Sequence, residues 1–131
     1  MSAPLVYVDT SAFLKLFLPE PEGPALLVEL ETRRWTSSVL LEVEATIAGR
    51  RRKPGGPDAV RALLPLVELV ELDEDVRGLA KDLDHPGLLS LDAIHLATAI
   101  SLGDHCDAFY TYDARLVEAA RTHGLTVESP A

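Results

Sequence analysis

Four widely separated acidic residues, Asp9, Glu42, Asp92 and Asp113, carry the chemistry that this chain suggests. Three or four gathered carboxylates repel one another and need a counter-ion. A hard divalent cation such as Mg²⁺ or Mn²⁺ suits them, because it takes oxygen ligands and can retain water. Such a centre can bind phosphate oxygens, orient an attacking water and stabilise a leaving oxyanion. Each acid also has a local explanation. Asp9 can cap a helix, and Glu42 and Asp92 can face exposed amides in a first turn. Only the tertiary fold can bring the four together.

The elements that must position them follow from period and punctuation. In "LVYVDTSAFLKLF" a continuous apolar run at 5–8 reads as a strand covered on both faces, and 10–18 reads as a helix stopped by Pro19 and Pro21. Asp9 sits at the change of period. Helices are expected over 24–32, 38–51, 58–64, 73–84 and 90–103, and from after Asp113 through Thr122. Short strands are expected at 35–36, 66–72, 108–111 and 125–128. Strands alternating with helices predict an α/β fold, a three-layer α/β/α sandwich around a short-stranded, mostly parallel sheet. Asp9 and Asp113 each follow a strand. Were those strands neighbours at a topological switch, the two carboxylates would meet in the crevice at the strand ends.

Composition narrows the setting. With 131 residues and 47% apolar side chains the chain is expected to form a single domain over 1–131 with a sizeable core. Its formal charge of -9, from 21 acidic and 12 basic residues, works against non-specific adsorption to nucleic acid or anionic lipid. Nucleic acid is not thereby excluded as substrate, since Arg50, Arg51, Arg52 and Lys53 concentrate positive charge. The same run also reads as a solvated helix end. Cys106 is the single cysteine, so an internal disulfide or a two-cysteine metal motif is ruled out and a reducing cytoplasmic setting is expected. There is no basic-then-apolar leader and no run long enough to span a bilayer.

Other residues compete for roles. Glu44 is the rival of Glu42: two positions apart on a helix, they point in different directions, so one small site takes one of them. Glu42 shares its face with Ser38, Ala45 and Thr46, which favours it; Glu44 lies among Leu40, Leu41 and Ala48. His95, three residues after Asp92, reads first as an ordinary partly buried histidine and second as a hydrogen-bond partner of the site. His85, His105 and His123 lack zinc spacing. Arg115 could contact a substrate phosphate or hold an acid. An acidic-groove module that captures a basic peptide without catalysis is the alternative of a different class. A phosphatase is a third reading, although "DTSAF" lacks the second acid two residues on that marks haloacid-dehalogenase phosphatases.

The segments "VYVDTSAFLKLF", "TSSVLLEVEA", "LDAIHLATA" and "YTYDARL", with the ending "GLTV", resemble in order and spacing the acidic motifs of the PIN-domain family. They are most similar to the toxin ribonucleases of VapBC toxin–antitoxin systems. The resemblance covers residues 7–116, and "DAIHLATA" is its most specific part. It implies that Asp9, Glu42, Asp92 and Asp113 form the catalytic, metal-holding centre, with Asp9 and Asp92 foremost, Asp113 completing it and Glu42 coordinating or positioning water. Thr10, Ser11 and Thr111 would supply hydrogen bonds. It further implies Mg²⁺-dependent (or Mn²⁺-dependent) endoribonuclease activity, an RNA substrate, a homodimer, and a cognate antitoxin whose basic tail lies in or beside the acidic groove.

Overall fold

β1 (Leu5–Val8) is buried from both sides because its residues alternate between two cores. Val6 and Val8 enter one core with Phe13, Leu26, Leu30, Leu41 and Val60; Tyr7 enters the other with Leu96, Phe109, Leu116 and Ala119. This is what a period of two requires of a central strand. A computed structural model of the protein describes residues 3–131, so residues 1 and 2 of the domain expected over 1–131 lie outside the described part.

After β1 the chain runs through α1 (Thr10–Leu14), α2 (Gly23–Leu30), β2 (Arg34–Ser38), α3 (Leu40–Arg52), α4 (Gly56–Leu63) and β3 (Val67–Val70). It continues through α5 (Glu74–Asp82), α6 (Ser90–Leu102), β4 (Ala108–Tyr110), α7 (Ala114–Thr122) and β5 (Val127–Glu128). The sheet order is β3-β2-β1-β4-β5, and every recorded pairing is parallel. Residues from α1 to α4 build the core on one face, those of α6 and α7 the core on the other, and α5 packs on α6. The three-layer α/β/α sandwich expected from the alternation of elements is present. Among the described residues no helix is long and apolar enough to cross a membrane.

Several elements are shorter than expected, among them the last strand, foreseen over 125–128 and present as Val127–Glu128. The helix foreseen over 10–18 ends at Leu14, and Lys15, Leu16 and Phe17 continue in tighter turns whose N–H groups reach back three residues. Pro19 disfavours helical backbone at Leu18. The strand foreseen over 66–72 begins only at Val67, because Pro65 sits in a 3₁₀ turn from Leu64 to Leu66.

The strand order places the switch point between β1 and β4. The chain steps outward from β1 to β2 and β3, then returns to the other side of β1 as β4. Val8 pairs with Tyr110, and the Asp9 N–H donates to Tyr110 O at 3.1 Å. The ends of these two strands therefore form the crevice, with Asp9 and the 111–113 segment at its lip.

The helices on the β2 side are fixed by a close backbone approach. A Cβ added to Gly56 would lie 2.0 Å from Gly49 O, so α3 and α4 meet this closely because position 56 is glycine; a Cβ on Gly49 would be tight, 3.3 Å from Gly56 O. Gly56→Ala should force the pair apart and cost on the order of 1–3 kcal/mol, as overpacking does. A lowered urea midpoint with an unchanged m-value is the expected readout; an unchanged midpoint would show that the two helices can shift without loss.

Candidate active site

Asp9 ends β1 and caps α1: its extended backbone stops the strand, and Oδ1 accepts the Ala12 N–H at 2.9 Å. Ser11 Oγ donates to the same oxygen at 2.7 Å, and Thr111 Oγ1 donates to Oδ2 at 2.5 Å. The two hydroxyls also bind the segment after β4. Ser11 Oγ accepts the Tyr112 N–H at 2.8 Å, and Thr111 Oγ1 accepts the Asp113 N–H at 3.1 Å. Asp9 is thus stitched to the backbone that carries Asp113.

Only 2% of Asp9 is exposed. Burial raises its carboxyl above the usual carboxylate range; the Thr111, Ser11 and Ala12 donors pull the other way without cancelling it. A buried carboxylate that hydrogen bonds alone leave under-compensated is an electrostatic invitation to a cation.

Asp113 caps α7, its Oδ1 accepting the Arg115 N–H at 2.9 Å. Asp92 lies in the first turn of α6, where Oδ2 accepts the Leu89 N–H at 3.3 Å. Leu89 rather than Ser90 stands at the cap; Ser90 is the first helical residue. Both aspartates are partly exposed, and the Arg115 guanidinium lies between them, 3.9 Å from Asp92 and 3.7 Å from Asp113. One side chain touching both acids places α6 and α7 at the same lip of the crevice.

The glutamates divide against the sequence expectation. Glu44 Oε1 accepts from Thr10 Oγ1 at 2.9 Å and lies 2.7 Å from His95 Nε2, beside Asp9's own helix. Glu42 is not brought to this group. It is exposed and lines a surface hollow with Arg61, Leu64 and Pro65 on the α4 side. The physical reason lies in the packing of α3, which buries Leu41, Ala45 and Gly49. The close approach of α4 to α3 is made further along, where Gly56 meets Gly49. Glu44, with its apolar neighbours, lies on the side that packs against α1.

The sequence reads His95 first as an ordinary partly buried histidine. It is buried, with both ring nitrogens engaged: Tyr7 Oη lies 2.6 Å from Nδ1 and Glu44 Oε1 2.7 Å from Nε2. The spacing of three residues from Asp92 was the available signal. Tyr7 was not singled out at all; an apolar strand gives a tyrosine no visible polar duty. Its burial raises the phenol's pKa well beyond the usual range, so it is a neutral hydrogen-bonding group.

The donor chemistry is that of a hard oxygen site. Carboxylates are what the crevice offers, whereas Cys106 is hydrogen bonded to Ala108 O at the far end of β4 and His95 has no ring nitrogen to spare. As the side chains stand, no three His, Cys, Asp or Glu residues among those described converge tightly enough to enclose an ion. The partly exposed Asp92 and Asp113, held loosely around Arg115, are the members with freedom to turn inward.

Comparison with known proteins agrees with this geometry. The PIN domain family matches residues 6–122. Ribonuclease VapC35 of Mycobacterium tuberculosis is 42% identical over 131 residues, covering 96% of this chain and 97% of its own length. Ribonuclease VapC47 of the same organism is 37% identical over 132 residues with the same coverage. Among solved structures, M. tuberculosis VapC20, a sarcin–ricin loop cleaving toxin, superposes with a TM-score of 0.74 at 18% identity, over 95% of this chain and 99% of that one. A chain of a toxin–antitoxin complex from Klebsiella pneumoniae reaches 0.71 at 19% identity, over 96% and 98%. These last two bear on the fold alone. A parallel sheet that switches between β1 and β4, acids at that switch and relatives of this closeness make the chain a member of the PIN-domain family, of the VapC kind.

Proposed function

We propose that the chain, acting as one domain over 1–131, is a divalent-metal-dependent endoribonuclease and the toxin of a type II toxin–antitoxin pair. The observation that carries this reading is the junction of Asp9 with the Asp113 segment through Ser11 and Thr111 at the β1–β4 switch. Asp9, Asp92, Asp113 and Glu44 would hold the ion, with Mg²⁺ the expected cation and Mn²⁺ a working substitute. When bound, such an ion lends Lewis acidity to the scissile phosphate and to the attacking water.

The protein's own groups do the rest. Ser11 and Thr111 hold both Asp9 oxygens, so the carboxylate cannot rotate away. Thr10 and His95 hold Glu44. Arg115, half-exposed beside Asp92 and Asp113, is placed to turn from the acids to a phosphate oxygen of RNA. Asp92 and Asp113 then become available to orient the ion and its water.

A cognate antitoxin, with a basic side chain neutralising the acidic crevice, is part of this reading. A homodimer in the cytoplasm belongs to the same reading. A groove of about 830 Å³ lined by Leu16, Phe17, Leu18, Pro24 and Leu27, with Lys15 and Arg52 at its margin, offers apolar surface for a partner segment.

The test is incubation of purified protein with structured and unstructured RNAs, with and without Mg²⁺. Cleavage that appears with Mg²⁺ and stops on chelation is expected. Silence across a broad RNA panel, with metal-independent binding of a basic peptide, would instead favour the non-catalytic groove.

A further inference from the structure

His95 is polar at both ring edges in a place where only 2% of the residue meets solvent. The direction of its hydrogen bonds can be read from Glu44. An ionised carboxylate only accepts, so the ring hydrogen sits on Nε2 and is donated to Glu44 Oε1 at 2.7 Å. In the neutral ring Nδ1 then accepts, and the Tyr7 hydroxyl, which itself accepts the Ser38 N–H at 3.2 Å, donates to it at 2.6 Å. Thr10 Oγ1 donates to that same oxygen. Among the described residues no hydrogen bond engages Glu44 Oε2.

The chain is mechanically stiff. Tyr7 stacks on Phe109 with ring centroids 5.0 Å apart and planes 4° apart, and it meets His95 edge-on at 5.8 Å. It links the backbone of β2, a side chain of the central strand, α6 and α3. A histidine satisfied for packing reasons alone needs partners of any kind. This one ends on the carboxylate of another helix, which is also bonded to Thr10, the residue after Asp9.

We infer that His95 is a positioning residue, which with Tyr7 behind it clamps Glu44 Oε1 and thereby presents Oε2 as the atom that serves the cation. This rests on the metal-dependent reading of the site. Outer partners that fix a ligand's orientation typically change metal affinity or activity by about 10–100-fold when removed.

The experiment pairs Mn²⁺ binding, followed by electron paramagnetic resonance, with imidazole ¹⁵N resonances of the metal-free protein and with RNA cleavage kinetics. Wild-type His95 should show the Nε2–H tautomer. His95→Leu should weaken Mn²⁺ binding by roughly 10–100-fold and lower kcat with KM for RNA unchanged. His95→Gln, whose amide nitrogen can approach the Nε2 position, should restore most of both. Tyr7→Phe should keep the ring stack but mix the tautomers and give an intermediate Mn²⁺ affinity. An Nδ1–H tautomer in the wild type, or wild-type Mn²⁺ affinity and kcat in His95→Leu, overturns the inference. Should His95→Leu fail to fold, unchanged tautomer and Mn²⁺ affinity in Tyr7→Phe overturn it equally. Wild-type protein that binds no Mn²⁺ would overturn the metal-site reading as well, whereas binding indifferent to His95 overturns this inference alone.

Discussion

Asp9→Asn protein should fold, resist urea better than the wild type in metal-free buffer at neutral pH, and cleave RNA more than about 100-fold more slowly. Activity falls because the substitution removes the carboxylate that the fold holds at both of its oxygens. The fold survives because asparagine is as good a helix cap as aspartate. Its amide oxygen can still accept from Ala12 and Ser11, and Thr111 need only reverse its hydroxyl to receive the new N–H group. Stability rises because a buried charge has been removed.

The pH dependence gives this prediction a sign. Burial holds the Asp9 carboxyl above its unfolded value, so the folded state binds this proton more tightly than the unfolded chain does. The group's favourable contribution is complete below the unfolded pKa and is lost as pH rises through the folded one. Metal-free wild type should therefore lose stability, relative to Asp9→Asn, as pH climbs from the acid range, and the gap should level off above the folded pKa. Mg²⁺ should narrow the gap by raising the wild-type Tm and leaving that of Asp9→Asn alone. Equal RNA cleavage by the two proteins would remove Asp9 from the mechanism. A gap that widens toward acid pH would contradict its buried-charge assignment.

The second large effect separates two glutamates that the sequence leaves side by side. Glu44→Gln should lower cleavage by about 10–100-fold or more, whereas Glu42→Gln should leave it unchanged. Glutamine at 44 keeps an oxygen for Thr10 and His95 but replaces the other, uncommitted oxygen by an amide nitrogen that cannot ligate a cation. Glutamine at 42 alters an exposed side chain beside Arg61 and Leu64, on the other side of α3. Both proteins should unfold within a few tenths of a kcal/mol of wild type, because neither carboxylate is fully buried. The reverse ranking would show that α3 sits about half a turn from where the structure places it.

The sequence by itself was enough for the order of elements and for the position of Asp9. An apolar run that switches period at an acid is a local pattern, and Asp9 does end a strand and cap a helix. The acids at 92 and 113 were equally legible as residues at helix starts. The boundaries at Leu14 and Val67 were missed by a few residues because tighter turns, at 15–17 and at Leu64–Leu66, take over where the apolar pattern continues.

What the sequence could not decide were relations between elements. That β1 and β4 are neighbours, and so that Asp9 meets the Asp113 segment, depends on the chain returning past β1 after β3, which no local period encodes. That Glu44 and not Glu42 is carried to the α1 side depends on the rotation of α3 about its axis, which buries Leu41, Ala45 and Gly49. That both ring nitrogens of His95 are engaged depends in part on a tyrosine eighty-eight positions away whose hydroxyl ends against its ring. Local period reports which side of an element is apolar, but a polar atom's partner is fixed only when separate elements pack.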